Sequence, residues 1–534
     1  RAREAPRADG LEPALDHEAV LVVGPRYLDR PVKHQGKGLH CGVLERAVRE
    51  DAVRHPRVVR LLAAPPRPLR HVAIQHRVER RAARRRAPRD NDVARSAPVM
   101  PTGPPPRLSA ILADSEPAAL VTGATKRRKL DALQAEAGDL PPALVLGDAD
   151  DEAALAGTVP LDTVRSCEDD PACLLYTSGS TGQPKGVVIS HCNIAAFSDW
   201  AGDFFALREE DRVSAHAPLH FDLSLFDVWT TLAHGACVCL VPQGLSFLGV
   251  DLVRFVTQNA ITVWQSVPSV LRLMVRHLEA GDAALAPLRL VFFAGEPFPP
   301  EALRNLRMKL PHTRMVNIYG STEMNDVTFH EIGETVDDTP LPIGRPCSHM
   351  QVLVVDDAGA ILSEAGAIGE LCARGPTVAL GYWRAGEATA SRFVQHPGHD
   401  LFPDRVYRSG DLVEIGADGA LRYVGRRDTQ VKIRGNRVNL GEVEEALVAH
   451  PAIAEAAVTD VEDSEGDKSL KAFLVLASGQ EAPDLRSLRR HCAGRLPAYM
   501  VPESAEFREG LPRTSTGKLD RQALRRVEAV AGAG

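Results

Sequence analysis

The chain has 534 residues, 44% of them apolar and 25% charged, with a formal charge of -7. That length allows two or three domains with substantial cores, and the acidic balance argues against nucleic acid or a membrane surface as the partner of the whole chain. No apolar run is long enough to cross a bilayer and no apolar h-region marks a secretory signal. The nine cysteines are scattered without a Cys-x-x-Cys pair, which points to free thiols in a cytoplasmic setting rather than to zinc.

Taken in order, residues 1–98 stand apart. Residues 1–100 hold 20 Arg, 2 Lys and 12 acids, so this part is about +10 and the remainder about -17. It contains no Phe or Trp, and the run 77–89 has almost nothing to bury. A basic arm, a disordered extension and an out-of-frame or misassigned stretch are the readings, the last being the working expectation. From residue 108 strands and helices alternate. The pattern predicts helices over 108–116, 191–207, 223–233, 269–278 and 300–309. It predicts strands over 118–122, 143–146, 237–241, 261–264, 288–293 and 315–319. Such alternation favours a parallel sheet covered on both faces, with ligand loops at the carboxyl ends of its strands. Beyond Tyr382, Gly/Asp-rich turns separate short strands. A smaller α/β unit then follows, with a helix over 441–448, a strand over 469–476 and a helix capped by Asp484 whose Leu485, Leu488, Cys492 and Leu496 share one face.

The stretch Leu174-Leu-Tyr-Thr-Ser-Gly-Ser-Thr-Gly-Gln-Pro-Lys-Gly-Val187 carries the strongest chemical signal. Small residues let a backbone approach a polyanion, hydroxyls donate to phosphate oxygens, and Lys185 adds positive charge. The spacing is not the Walker loop, because Lys185 precedes its Gly and no hydroxyl follows. This stretch closely resembles the signature loop of the adenylate-forming enzymes, which include acyl-CoA synthetases and the amino-acid adenylation domains of non-ribosomal peptide synthesis. The resemblance implies an α/β fold: a large domain of parallel-type sheets covered by helices (99–427, lacking the family's usual front segment) and a small mobile domain (428–534). It also implies ATP and Mg2+ as cofactors, with Thr177, Ser178, Gly179, Ser180, Thr181, Gly182 and Lys185 around the phosphates.

Further motifs follow in family order from Pro104 to about Leu524. Asn317-Ile-Tyr-Gly-Ser-Thr-Glu323 is similar to the segment in which Tyr319 packs on adenine, Gly320 lies at the nucleotide, Thr322 meets the α-phosphate and Glu323 binds Mg2+. Ala294-Gly295-Glu296-Pro297 resembles the turn beside the nucleotide. Tyr407-Arg-Ser-Gly-Asp411 looks like the ribose-binding motif, and Tyr423-Val-Gly-Arg-Arg-Asp428 the inter-domain junction, with Tyr423 and Arg426 near the nucleotide and Asp428 as hinge. The segment 431–435 would face the site during thioester formation. Lys518, in Thr-Gly-Lys-Leu-Asp, matches the lysine that bridges substrate carboxylate and α-phosphate. Asp222, in His-Phe-Asp-Leu-Ser, matches the carboxylate that holds an amino acid's α-ammonium.

By residue-wise resemblance the amino-acid pocket comprises Asp222, Leu223, Phe226, Gln265, Phe292, Ala294, Ile318, Asp326 and Val327. Phe226 and Phe292 limit its volume. Gln265 and Asp326 suggest a small or medium polar substrate side chain, basic ones included, while alanine or proline stays open if Asp326 faces solvent. The segment 261–268 resembles the stand-alone subgroup that activates small amino acids such as proline or alanine, and with no Gly-Gly-x-Ser carrier segment in the sequence the expectation is a ligase that loads a separate phosphopantetheinyl carrier protein. The expected activity is therefore that of an amino-acid adenylating, AMP-forming ligase. An acyl-CoA synthetase and an inactive truncated product are the alternatives.

Overall fold

The computed structural model describes residues 96–525 apart from 101–102, 139, 148–165, 179–183, 246–247, 280–282, 464–465, 514–518 and 522. Its central sheet is built on Leu290–Ala294, a run of Leu-Val-Phe-Phe-Ala that is buried along its whole length. Apolar side chains at every position suit a strand with both faces covered. Leu290, Phe292 and Ala294 enter one core with Phe197, Phe205 and Phe226, while Val291 and Phe293 enter a second core with Leu252, Trp264 and Leu303. This is the two-residue alternation of a pleated strand. Val263–Ser266 and Arg314–Ser321 pair with it in parallel on either side.

The parallel crossovers are helical. Pro268–Val275 and Pro300–Lys309 each begin with proline, whose missing N–H costs nothing in the first turn. Seven strands run in the order Arg345–Pro346, Asn325–Glu331, Arg314–Ser321, Leu290–Ala294, Val263–Ser266, Arg212–Ala215, Cys237–Leu240, and the first two are antiparallel additions. The expected parallel alternation thus describes the five strands from Arg314–Ser321 to Cys237–Leu240.

The remaining sheets are largely antiparallel. Pro171–Thr177 and Lys185–Ser190 form a hairpin extended by Gly381–Tyr382. Six strands between Gln351 and Arg426 form another sheet, whose long member is Arg405–Ile415. The carboxyl-terminal part combines the hairpin Gln430–Ile433 and Asn436–Asn439, the sheet Ile453–Glu462, Lys468–Leu476 and Ser504–Phe507, and the helices Leu440–Val448 and Leu485–Ala493. Its core of Val438, Leu440, Val458, Leu474 and Cys492 is separate from the other two. No helix among the described residues is long and apolar enough to cross a membrane.

Several expected boundaries shift for identifiable reasons. The strand expected over 261–264 is Val263–Ser266, because the Thr262 hydroxyl donates to Asp211 at 2.7 Å and accepts Arg212 N–H at 2.9 Å in the preceding corner. The helix expected over 191–207 ends at Phe204; its start is the capping box of Ser190 and Asn193. Over 223–233 the helix opens as a π-helical segment, Leu225–Thr230, before Thr231–Ala233. Asp484 accepts Ser487 N–H at 2.6 Å as expected, but Leu485 is 38% exposed while Leu488, Cys492 and Leu496 are buried. The segment set apart as 1–98 is not uniform either: Ser96 pairs with the strand Pro171–Thr177, donating to Ala172 and accepting from Leu174. Residues 1–95 lie outside the described residues.

Candidate nucleotide and amino-acid site

In the hairpin of the phosphate-loop stretch Thr177 stands opposite Lys185, so the loop's two ends are held together. Gly179, Ser180, Thr181 and Gly182 lie outside the described residues. Ser178 donates its hydroxyl to the Arg437 carbonyl at 2.8 Å. The Lys185 ammonium lies 5.9 Å from the centre of the Tyr382 ring, and burial, with Arg392 and Arg437 nearby, lowers its pKa.

Arg314–Ser321 delivers the next residues. Tyr319 donates its hydroxyl to Asp411, on Arg405–Ile415, and Arg426 donates to the other Asp411 oxygen at 2.5 Å. Arg426 also grips Asp428 through two bonds of 2.7 and 2.9 Å, and Arg392 adds a third at 3.0 Å. Burial alone would raise the Asp428 carboxyl, but Arg426 brings it down to about 2. Glu323 is 1% exposed. It accepts two bonds from Arg437, at 2.8 and 2.9 Å, and one from the Tyr382 hydroxyl at 2.9 Å. Against its burial, the Arg437 charge holds this carboxylate at about 2, so it is an ionised acid in a dry setting.

Arg437 and Lys432 come from the hairpin Gln430–Ile433 and Asn436–Asn439, which therefore covers the site. Lys432 lies 5.8 Å from the Tyr319 ring centre, close enough to both Asp411 and Asp222 to interact with their charges. Burial lowers its pKa against the pull of Asp411. Gly435, at the hairpin's tip, has φ +76°, and its Cα stands 3.8 Å from where a Cβ on Gly295 would lie.

Asp222 opens the loop ahead of the π-helical segment. It accepts Leu223 N–H at 2.9 Å, and the nearby Thr322 side chain favours its ionised form, yet burial keeps its pKa raised. Five residues on, Asp227 is fully buried. It accepts the N–H groups of His216 and Ala217 at 3.1 and 3.0 Å. With the Gln265 amide turned to satisfy its neighbours, that side chain donates to Asp227 at 2.7 Å and to the Leu223 carbonyl at 3.0 Å. Gln265 thus braces the Asp222 loop. Phe226, Phe292, Ala294, Ile318 and Val327 are all buried around this region, and Asp326 is 7% exposed.

Glu296 accepts Ser269 N–H at 2.9 Å, capping the helix Pro268–Val275 from outside. Tyr423 is 43% exposed. Lys518 lies outside the described residues. Sequence reasoning placed Lys432 only within the segment 431–435 expected to face the site, and passed over Asp227, Arg437 and Tyr382. Asp227 had a signal, being a charge inside the apolar run Leu225-Phe226-Asp227-Val228-Trp229. Lys432 had the alternation of basic and apolar residues over 431–435, which an exposed strand also shows, and Arg437 lies just beyond that segment.

The family model described as AMP-binding enzyme matches residues 93–383, and the AMP-binding enzyme C-terminal domain matches 442–518. The chain belongs to the AMP-binding enzyme family. Its family match begins eleven residues ahead of Pro104, where the resemblance was first legible. An L-proline--[L-prolyl-carrier protein] ligase of Pseudomonas fluorescens is 40% identical over 438 residues, covering 80% of this chain and 83% of that protein. A protein of the same description from Streptomyces coelicolor is 40% identical over 444 residues, covering 79% and 80%. The Vibrio cholerae adenylation domain AlmE, solved with glycyl-adenosine-5'-phosphate, is 27% identical with a TM-score of 0.71, covering 81% and 84%.

Proposed function

We propose that this AMP-binding family member activates a small amino acid as its adenylate and passes the aminoacyl group to the phosphopantetheine thiol of a separate carrier protein. One observation carries the reading. Asp222 lies beside Thr322; Thr322 is adjacent to Glu323; and Tyr319, on the strand leading into that turn, is hydrogen-bonded to Asp411. An ammonium anchor and a two-hydroxyl acceptor are thereby joined through one short segment, at opposite ends of what an aminoacyl adenylate would span.

In the first half-reaction the amino acid's carboxylate attacks the α-phosphorus of ATP, and pyrophosphate leaves. Two anions meet, so the rate depends on positioning and on cations. Asp222 holds the α-ammonium, Thr322 donates to the α-phosphate, Asp411 accepts the ribose hydroxyls, and Lys185 and Lys518 neutralise the phosphates and carboxylate. Glu323 suits Mg2+: it is a buried, ionised oxygen donor whose present counter-charge is the Arg437 guanidinium. Mg2+ there would neutralise the phosphate oxygens. Because the 430–439 hairpin covers the site, it must swing away for ATP to enter. We take 428–534 as the moving unit, 99–427 as the body and Asp428 as the pivot. In the second half-reaction the thiol sulfur attacks the acyl carbon and AMP leaves.

The test is pyrophosphate exchange over an amino-acid panel, then loading of a carrier protein bearing phosphopantetheine. Exchange dependent on an amino acid is expected. Exchange only with fatty or aryl acids, followed by transfer to free CoA, would replace this reading with that of an acyl-CoA synthetase.

A further inference from the structure

One carboxylate near Asp222 has no role in the scheme above. Asp326 is the second residue of Asn325–Glu331, directly after the turn that carries Thr322 and Glu323. It stands opposite Gly320 in the adjoining strand. A Cβ on Gly320 would lie 1.8 Å from the Asn325 carbonyl oxygen, so the two strands approach as closely as they do only because residue 320 has no side chain. Asn325 sits at φ +56° with its own side chain accepting Asp326 N–H at 2.7 Å. The backbone is thus built to turn Asp326 inward.

There its Oδ2 is shut off from solvent and has no hydrogen-bond partner among the described residues. Around this part of the core stand Phe226, Phe292, Ile318 and Val327, each at most 2% exposed. Asp222 is close enough for the two carboxyls to repel one another, and burial together with that repulsion pushes Asp326 up to about 8. A buried carboxyl without a donor is costly to keep. It is explained if a donor arrives with the ligand. Proline and alanine side chains have no such donor.

We propose that Asp326 is a specificity residue that receives a hydrogen-bond donor on the substrate's side chain. The preferred amino acid is then a small one bearing a hydroxyl or amino group, as in homoserine or 2,4-diaminobutyrate, rather than proline or alanine. This rests on the reading that Asp222 holds the α-ammonium. A hydroxyl meets the carboxyl in either protonation state, whereas a side-chain ammonium pairs with the ionised form. Leaving a buried polar group unpaired penalises the analogue lacking the donor by at least about 10²-fold in kcat/KM.

The experiment compares isosteric pairs in pyrophosphate exchange with the full chain: serine against 2-aminobutyrate, and homoserine and 2,4-diaminobutyrate each against norvaline, with alanine and proline added. In the wild type one donor-bearing member should exceed its apolar partner by about 10²-fold or more, the pair affected telling hydroxyl from amine. Asp326→Leu should collapse that ratio to near one or invert it, and Asp326→Asn should keep a hydroxyl preference while losing an amine preference. Wild-type preference for proline, alanine or another apolar member overturns the proposal and leaves amino-acid activation intact. Exchange with no amino acid overturns both. The wild-type panel decides even if the Leu variant fails to fold.

Discussion

Asp227→Ala is the sharpest test of how the amino-acid side of the site is held. The substitution removes the acceptor for three donors: His216 N–H at 3.1 Å, Ala217 N–H at 3.0 Å and the Gln265 amide at 2.7 Å. An unsatisfied buried donor costs about 1–3 kcal/mol. Gln265 keeps its bond to the Leu223 carbonyl, so the total is about 3–5 kcal/mol rather than the full sum. The loop thereby loosened is the one presenting Asp222, and a displacement of about 1 Å there costs on the order of 10²-fold in rate. Urea unfolding followed by tryptophan fluorescence should show the stability loss, since Trp229 and Trp264 report on this region. Pyrophosphate exchange should show a fall in kcat/KM for the amino acid of about tenfold or more, with the KM for ATP little changed. Asp227→Asn, which keeps one acceptor oxygen and the shape, should lose about 1 kcal/mol. An unfolding midpoint for Asp227→Ala equal to that of the wild type would refute the bracing role.

Three further expectations concern charge. Asp326 titrates at about 8 when folded against an ordinary 3.8; a raised carboxyl contributes stability below its unfolded pKa and loses it as pH rises through the folded one. Asp326→Asn should therefore gain on the wild type between pH 4 and 8, by up to about 1.4 kcal/mol per pH unit, in urea unfolding at several pH values; a constant difference would contradict the burial. Arg437→Ala leaves Glu323 without its counter-charge in the covered state, which costs about 3–5 kcal/mol for a broken buried pair, so the KM for Mg-ATP should fall in pyrophosphate exchange. A rise in that KM would show that Arg437 helps ATP bind instead. Lys518→Ala should lower adenylation on the order of 10²–10³-fold, and unaltered exchange would remove Lys518 from the first half-reaction.

Much of this was legible because the chemistry demands particular residue types at short range. A phosphate loop needs Gly, Ser and Thr in succession, and a buried parallel strand needs an unbroken apolar run such as Leu290–Ala294. The helix over 300–309 was readable to the residue, and a proline opens it. Long-range partners were not legible. That Glu323 meets Arg437, 114 residues away, depends on how the carboxyl-terminal hairpin docks, and no local pattern encodes a docking position. Nor was it legible that Glu296 accepts the Ser269 N–H at the start of a helix on the neighbouring strand-helix unit.

The amino-acid sequence alone therefore determined a phosphate-handling loop and the order of the strands and helices, since loop composition and apolar periodicity act over a few residues, and the motifs' resemblance to the adenylate-forming enzymes supplied the reaction class. Only the tertiary structure decided which charges face one another. It paired Tyr319 and Arg426 with Asp411, seated Arg437 on Glu323, and left Asp326 buried beside Asp222 with an empty acceptor. The physical reason is that a carboxylate's behaviour follows from its burial and its nearest cation, and both are set by segments far away along the chain.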